Sequence, residues 1–409
     1  MLGKGVGPGN WSGRRPPIIQ PPVDIVAARG YDQYPVVPLS RATTATYVDA
    51  DGTIKTAAPD APRFDWSTGQ RALLVEAAAT NLINIPFSAW VNNSNQSTIS
   101  TSEDALGGAS GIEIEYDGSS NSAGVYRFFP IVAAPYTFSV FVRWVSGSTV
   151  WKIGLGSQLF GPVSERAYVT IDVTTGTLHS AQSGVTAYTF TALGNGWARI
   201  SVSAVSAVAG NCAIEIYSPS SHEGHRCAQF SCAQLEAGAA PTSYIPTAGS
   251  AVTRAADIAS PIDLSGFDLS GGYTAVVKGR LDGVAGAWDR LIQLDAGTNA
   301  NRQSVVYNRA QSRLRAEVWS GNAASSMTEA SAPLPFEARC AFAIAPDSFD
   351  YAQNGVVSPH DDTVVYVQPS WMRLGVDISG AQTPARLLIY SVTLYPAVMT
   401  AAQLEEITA

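Results

Sequence analysis

Charge is scarce in this 409-residue chain: Asp, Glu, Lys and Arg make up 14% of it, against 46% apolar residues. So few charges are unusual for a soluble monomer of this size, and they fit a protein partly covered by partners or repeated in an assembly. Basic clusters are lacking beyond Arg14-Arg15, and the net charge is −8. A nucleic-acid binder needs a basic face, and an anionic membrane repels an acidic one, so neither partner is expected. Cysteine is too sparse for a disulfide scaffold. Cys212, Cys227, Cys232 and Cys340 read as buried thiols in strands, with a Cys212–Cys227 or Cys212–Cys232 bridge left open. No apolar run reaches 18 residues, so no membrane span is expected. The first residues, MLGKGVGPGNWSGRRPPII, lack the apolar stretch of a secretory signal. The sequence therefore points to folding in the cytosol that makes it, with exit by lysis or as part of a particle.

Turn formers and strand formers are abundant: 36 Gly, 24 Pro, 16 Tyr and 9 Trp among many Val/Thr/Ser-rich runs. The length suggests two or three domains. Residues 1–40 are Pro/Gly-rich, with RRPPIIQPPVD and YPVVPL favouring extended backbone. The pairs Ile18-Ile19, Ile25-Val26 and Val36-Val37 suggest an arm that orders against a partner protein. Residues 41–82 read as a short β-hairpin connector, since Thr46-Tyr-Val48 and Thr53-Ile-Lys55 flank the turn Asp49-Ala-Asp51-Gly52. From 83 to 247, strands with period-two alternation recur at the spacing of a sandwich or jelly roll, among them Ile112–Tyr116, Tyr136–Trp144 and Trp197–Val205. Trp144 and Trp197 fall within alternating strands and read as core. Residues 248–260 form a Pro/Gly/Ala-rich linker. A second β module occupies 261–409, with Asn354-Gly355 as a hairpin turn and a short terminal helix capped by Thr400 with Gln403. The fold class expected is all-β: two antiparallel β-sandwich (jelly-roll) modules in tandem behind an extended N-terminal arm.

Catalytic motifs are scarce. There is no Walker loop and no HExxH, and Gly154-Leu-Gly156-Ser157 lacks the spacing of a nucleophile elbow. His222-Glu-Gly-His225-Arg-Cys227, with Cys232 beyond, is the one metal-like cluster. Five residues along a strand place Cys227 and Cys232 on opposite faces, so no zinc is expected and the loop reads as a polar rim where binding groups gather. Glu113, Glu115 and Asp117 share one strand face and read as solvated rather than as a catalytic pair. Asp361-Asp362 leave Ca²⁺ binding open. Recognition of a sugar needs aromatic faces for the ring and planar polar groups for its hydroxyls. Trp151, Tyr217, Trp288 and Trp319 lie near strand ends or turns and could supply the first; Arg127, His222 and His225 could supply the second.

Three stretches resemble a family. They are ATYVDADGTIKTAAPDAPRFDW with ALLVEAAATNLI, then Phe87-Ser-Ala-Trp90 with AQLEAGAAPTSYIPT, then RLIQLD, NRQSVVYN, FAIAPDSFDYAQNG, VTLYP and TAAQLEEIT. Together they resemble bacteriophage head-spike and tail-fibre proteins, or the spikes of phage-like gene-transfer particles. The likeness implies a carbohydrate-binding-module-like sandwich at 83–247 and a laminin-G/concanavalin-like sandwich at 261–409. It also implies a homotrimeric appendage on the virion surface, held to a capsid or tail protein by its N-terminal region, with Trp11, Arg14, Arg15, Ile18 and Ile19 as anchoring residues. Its expected partner is host surface polysaccharide, bound without catalysis, cofactor or metal. The alternative is a depolymerase, hydrolase or lyase, acting on the same polysaccharide.

Overall fold

The computed structural model describes residues 23–24, 37–93, 97–118, 123–156, 166–219 and 224–409. The expected anchoring residues Trp11, Arg14, Arg15, Ile18 and Ile19 lie outside the described residues, as does His222.

Strands dominate the described chain, and every pairing between them is antiparallel. In the first sandwich, one six-stranded sheet runs in the order Val185–Ala192, Ala198–Ser206, Ala134–Gly147, Arg226–Ala237, Gly111–Tyr116, Ser97–Ser102. The facing sheet runs Leu178–Ala181, Ala167–Asp172, Val150–Leu155, Gly210–Tyr217, Gly124–Ile131, Val91–Asn92. Alternation sends Ile112, Ile114, Phe138, Val140 and Val142 of one sheet against Trp151, Ile153, Val169, Ile214 and Ile216 of the other, all at or near zero exposure.

In the second sandwich, a sheet of Trp371–Leu374, Trp288–Asp295, Arg302–Asn308, Arg313–Ser320 and Ala323–Ser331, edged by Ile262–Asp263, faces a larger one. The larger sheet holds Ser348–Gln353, Phe336–Ala345, Tyr273–Gly283 and Arg386–Tyr395. Asn354 and Gly355 turn into Val356–Val357 with φ of 49° and 76°, the two left-handed residues a tight hairpin needs. Thr400 caps the helix Ala401–Thr408, its hydroxyl accepting from the Gln403 amide while Gln403 Oε1 accepts from the Thr400 N–H at 2.9 Å.

The connecting stretches are structural members of the second sandwich. Ala45–Val48 and Ile54–Ala57 pair as a small hairpin, but Arg63–Asp65 and Ala72–Val75 extend the larger sheet beyond Arg386–Tyr395. Within 248–260, Val252–Arg254 pairs with Ala79–Asn81, and Ile258–Ala259 pairs with Leu39–Ser40. The chain thus enters and leaves the first sandwich side by side, so that module is inserted into the second rather than strung before it.

A buried ionic cluster holds this junction. Asp257 accepts from Arg41 at 2.9 Å and from Arg63, and Glu76 meets Arg63 at 2.9 Å, Arg254 at 3.4 Å and Arg386 at 3.3 Å. Arg386 also reaches Asp65 at 3.2 Å and Asp282 at 3.1 Å. Four guanidiniums therefore face four carboxylates. Ser243 of the returning segment donates both its N–H and its hydroxyl to Glu76, each at 2.7 Å. Buried charges persist only when paired and hydrogen-bonded, and here nearly every member has more than one partner.

Candidate functional site

The outward face of the smaller sheet of the second sandwich concentrates aromatic and charged side chains. Alternation explains its content. Leu294, Val305, Ala316 and Val318 point into the core, so their neighbours Gln293, Asp295, Ser304, Glu317 and Trp319 point away from it. Strand register then places Trp371 opposite Asp295, Asp295 opposite Arg302, and Arg302 opposite Trp319. With neighbouring strands about 4.8 Å apart, Trp371 and Trp319 bracket a span of roughly 14 Å. Trp288 lies on the same face at the far end of its strand.

Arginines stack on two of the three tryptophans. The Arg302 guanidinium lies 4.4 Å from the Trp319 ring and Arg315 lies 4.5 Å from the Trp288 ring. Between them runs a connected polar layer. Glu317 accepts from Arg290 at 2.7 Å, from Arg302 at 3.1 Å and from Ser304 at 2.9 Å. Asp295 accepts from Arg373 at 2.7 Å and from Gln293 at 3.1 Å. Burial pushes the Glu317 carboxyl upward, but Arg290 and Arg302 outweigh it and hold the group below its ordinary range. Burial lowers the Arg302 guanidinium against the pull of Glu317. Arg290 Nε and Gln293 Oε1 are buried without a hydrogen-bond partner among the described residues, so the layer keeps unused hydrogen-bonding capacity. Trp371, at 36% exposed, and the partly exposed Trp288 and Trp319 form the accessible rim.

This face brings together two of the sequence-predicted residues, Trp288 and Trp319, and adds Trp371, Arg302 and Arg315. Nothing in the sequence marked Trp371, since QPSWMRLG shows only a short apolar run; its place follows from strand register. The other predicted residues lie elsewhere. Trp151 is a correction: it is fully buried between the sheets of the first sandwich, edge-on to Phe230 at 5.0 Å, and offers no free face. Arg127 shares the inward side of its strand with Val125 and Phe129 and reaches the Ala89 carbonyl at 3.5 Å. Tyr217 lies on the outer face of the sheet, opposite Lys152, half-buried, with its phenol pushed up first by burial and then by Glu215. His225 is exposed and contacts Glu115 at 3.0 Å. Trp144 is also corrected, from core to 43% exposed: it keeps the side of Val142 but lies near the end of its strand, where its indole N–H donates to the Gly147 carbonyl at 3.2 Å.

The metal-like cluster reads differently in the structure as well. Cys232 adopts a left-handed φ of 53° where the strand bulges, which keeps Ala233 and Leu235 in the core. The bulge puts Cys232 on the same side as Cys227 rather than the opposite one, yet Cys232 packs with Phe141 and Trp197 while Cys227 lies over Glu113. All four cysteines are buried thiols. Among the described residues, no three His, Cys, Asp or Glu side chains converge as a metal site.

No family model matches the chain, and no curated protein matches it in sequence. Solved structures give partial likenesses. The CBM40 of the Ruminococcus gnavus IT-sialidase bound to α2,6 sialyllactose is 13% identical, over 37% of this chain and 98% of that one, with a TM-score of 0.27. A mutant Trypanosoma rangeli sialidase displaying trans-sialidase activity is 17% identical over 33% of this chain and 22% of that one, at 0.28. The Trypanosoma rangeli sialidase in complex with sialic acid is 11% identical over 78% of this chain and 61% of that one, also at 0.28. At these scores the likeness carries no argument about ligand or activity.

Proposed function

We propose that the protein is a glycan-binding appendage of a virion or phage-like particle, and that the outer sheet face of its second sandwich holds host surface polysaccharide. The observation that carries the reading is the row Trp371–Asp295–Arg302–Trp319, in which two indoles flank a hydrogen-bonding layer. Indole faces match the apolar side of a sugar ring, and the partly exposed Arg302 and Arg315 guanidiniums, with Arg302 fixed from below by buried Glu317, match its hydroxyls. The three tryptophans and the Arg302 and Arg315 guanidiniums reach the surface, while Asp295, Glu317 and Arg290 are buried beneath them and hold the rim in place.

Binding without turnover is part of the proposal. Glycoside cleavage requires a carboxylic acid that stays protonated until it donates. Glu317 is held ionised by two arginines, so it is not prepared for that role. In this reading the N-terminal region docks on a capsid or tail protein, and three copies share the low-charge surface.

Purified protein incubated with labelled capsular and lipopolysaccharide fractions tests the reading. Saturable binding that leaves the polysaccharide mass unchanged supports it; a falling mass selects the depolymerase alternative, and no binding to any fraction removes it. Light scattering checks the trimer, and antibody-labelled particles in electron micrographs check the virion location.

A further inference from the structure

We propose a second saccharide site, in the cleft of about 810 Å³ between the two sandwiches. It is separate from the tryptophan face and is built from three parts of the chain. The strand Val185–Ala192, at the edge of its sheet, supplies Tyr188 and Phe190; the connector hairpin supplies Tyr47; the larger sheet of the second sandwich supplies Tyr390, Arg280 and Glu337.

Four features point to a sugar chain. Tyr188 is 40% exposed and Tyr47 and Tyr390 are half-exposed, so ring faces are available on both walls, while Phe190 packs against the core of the first sandwich beneath them. Arg280 is fixed by Asp282 at 2.5 Å and by Glu337 at 3.2 Å, which presents oriented donors and acceptors at one place. Arg309 lines the same cleft, is exposed, and makes no ion pair among the described residues. The volume lies within the range of small-molecule sites, and the walls alternate aromatic with hydroxyl groups rather than forming a wholly apolar slot. A phosphate-rich ligand would need several uncommitted cations, whereas Arg280 and Arg386 are paired with carboxylates and Arg199 is held by the Thr242 carbonyl and Ser139. An oligosaccharide carrying a carboxylate matches aromatic walls, paired charges and one spare guanidinium together.

The proposal is independent of the tryptophan face, and the test separates them. Full-length protein is titrated calorimetrically with a size-graded ladder of oligogalacturonates, and with neutral cello-oligosaccharides of the same lengths. The expected result is binding of the acidic ladder that weakens at least tenfold in Tyr188→Ala/Tyr390→Ala and in Arg309→Ala. The same binding persists in Trp319→Ala/Trp371→Ala. Gln70→Trp, which adds bulk at an exposed position on the cleft wall, blocks binding while leaving the melting temperature unchanged, so a folding defect is distinguished from a lost site. Binding unaffected by the cleft variants, binding abolished by the tryptophan pair alone, equal binding of both ladders, or no binding of either ladder overturns the proposal.

Discussion

The guanidinium of Arg41 donates to the Asp257 carboxylate at 2.9 Å across 216 positions of chain, with both side chains fully buried. The pair closes the junction at which the first sandwich is inserted, because Arg41 precedes the insertion and Asp257 follows it. Asp257 also takes the Arg63 guanidinium and the Glu76 amide. Asp257→Ala would leave two buried cations and one buried N–H without their acceptor. Loss of one member of a buried ionic cluster costs about 3–5 kcal/mol. Denaturant unfolding should show that loss, and Asp257→Asn should recover only part of it, since the amide keeps an acceptor but no charge.

Acid should unpick the same junction. Burial pushes the Glu76 carboxyl up, but Arg254, Arg63 and Arg386 outweigh it and hold it far below the ordinary glutamate range. The unfolded chain takes up a proton at Glu76 near pH ~4.3, where the folded chain does not. The stabilisation is therefore present above about pH 4.3 and is lost as pH falls toward the folded value. Melting temperature should drop steadily from pH 5 to pH 3, and Glu76→Gln should start lower and fall less steeply.

The fold was legible where side-chain period and turn chemistry act locally. Ile112–Tyr116 alternates, Asn354-Gly355 turns, and Thr400 with Gln403 starts the terminal helix, each from information within a few residues. The junction was not legible. Arg63, Glu76 and Asp257 sit in stretches that look like turns and linker, and only long-range pairing turns them into a core. The site was half legible for a related reason. Aromatic type and turn proximity selected Trp288 and Trp319 but also Trp151, whose side of the strand is the buried one; its neighbour Lys152 faces out. In a strand, one position decides between core and surface, and the bulge at Cys232 shows how one extra residue resets that count.

The cysteines should stay unreactive while the protein is folded. Burial is the first cause that pushes the Cys227, Cys232 and Cys340 thiols up to about 12. Thiolate is then a fraction on the order of 10⁻⁴ at pH 8, and thiolate is the reactive form. Native protein should take up almost no Ellman reagent. Denatured, non-reduced protein should release four equivalents per chain; two would mean a disulfide.

Asp289 makes a prediction of opposite sign to Glu76. It is fully buried beside Trp288, and burial raises its carboxyl to about 6 against the pull of the Gly286 amide. The folded chain therefore holds a proton that the unfolded chain has released by pH ~4, so the stability tied to that proton is complete below about pH 4 and lost as pH rises through 6. Asp289→Asn should match the parent at pH 4 and exceed it by about 3 kcal/mol at pH 8, read from urea midpoints at the two pH values.

On the tryptophan face, stacking and charge should separate experimentally. Trp371 is 36% exposed at the start of its strand, so Trp371→Ala should weaken polysaccharide binding about tenfold, near 1.4 kcal/mol, with a smaller loss of melting temperature than Trp319→Ala. Trp319 carries Arg302 at 4.4 Å, and Arg302 in turn bonds Glu317. Trp319→Phe keeps a ring for both the sugar and the guanidinium and should retain most of the affinity, whereas Trp319→Ala frees Arg302 and should lose more than Trp371→Ala. Glu317→Gln removes the anion shared by Arg290 and Arg302, leaving two neighbouring guanidiniums uncompensated in a buried layer. That variant should lose both stability and binding. Calorimetric titration beside thermal melts distinguishes the three patterns, and equal affinity in Trp371→Ala, Trp319→Ala and the parent would place the sugar on another surface.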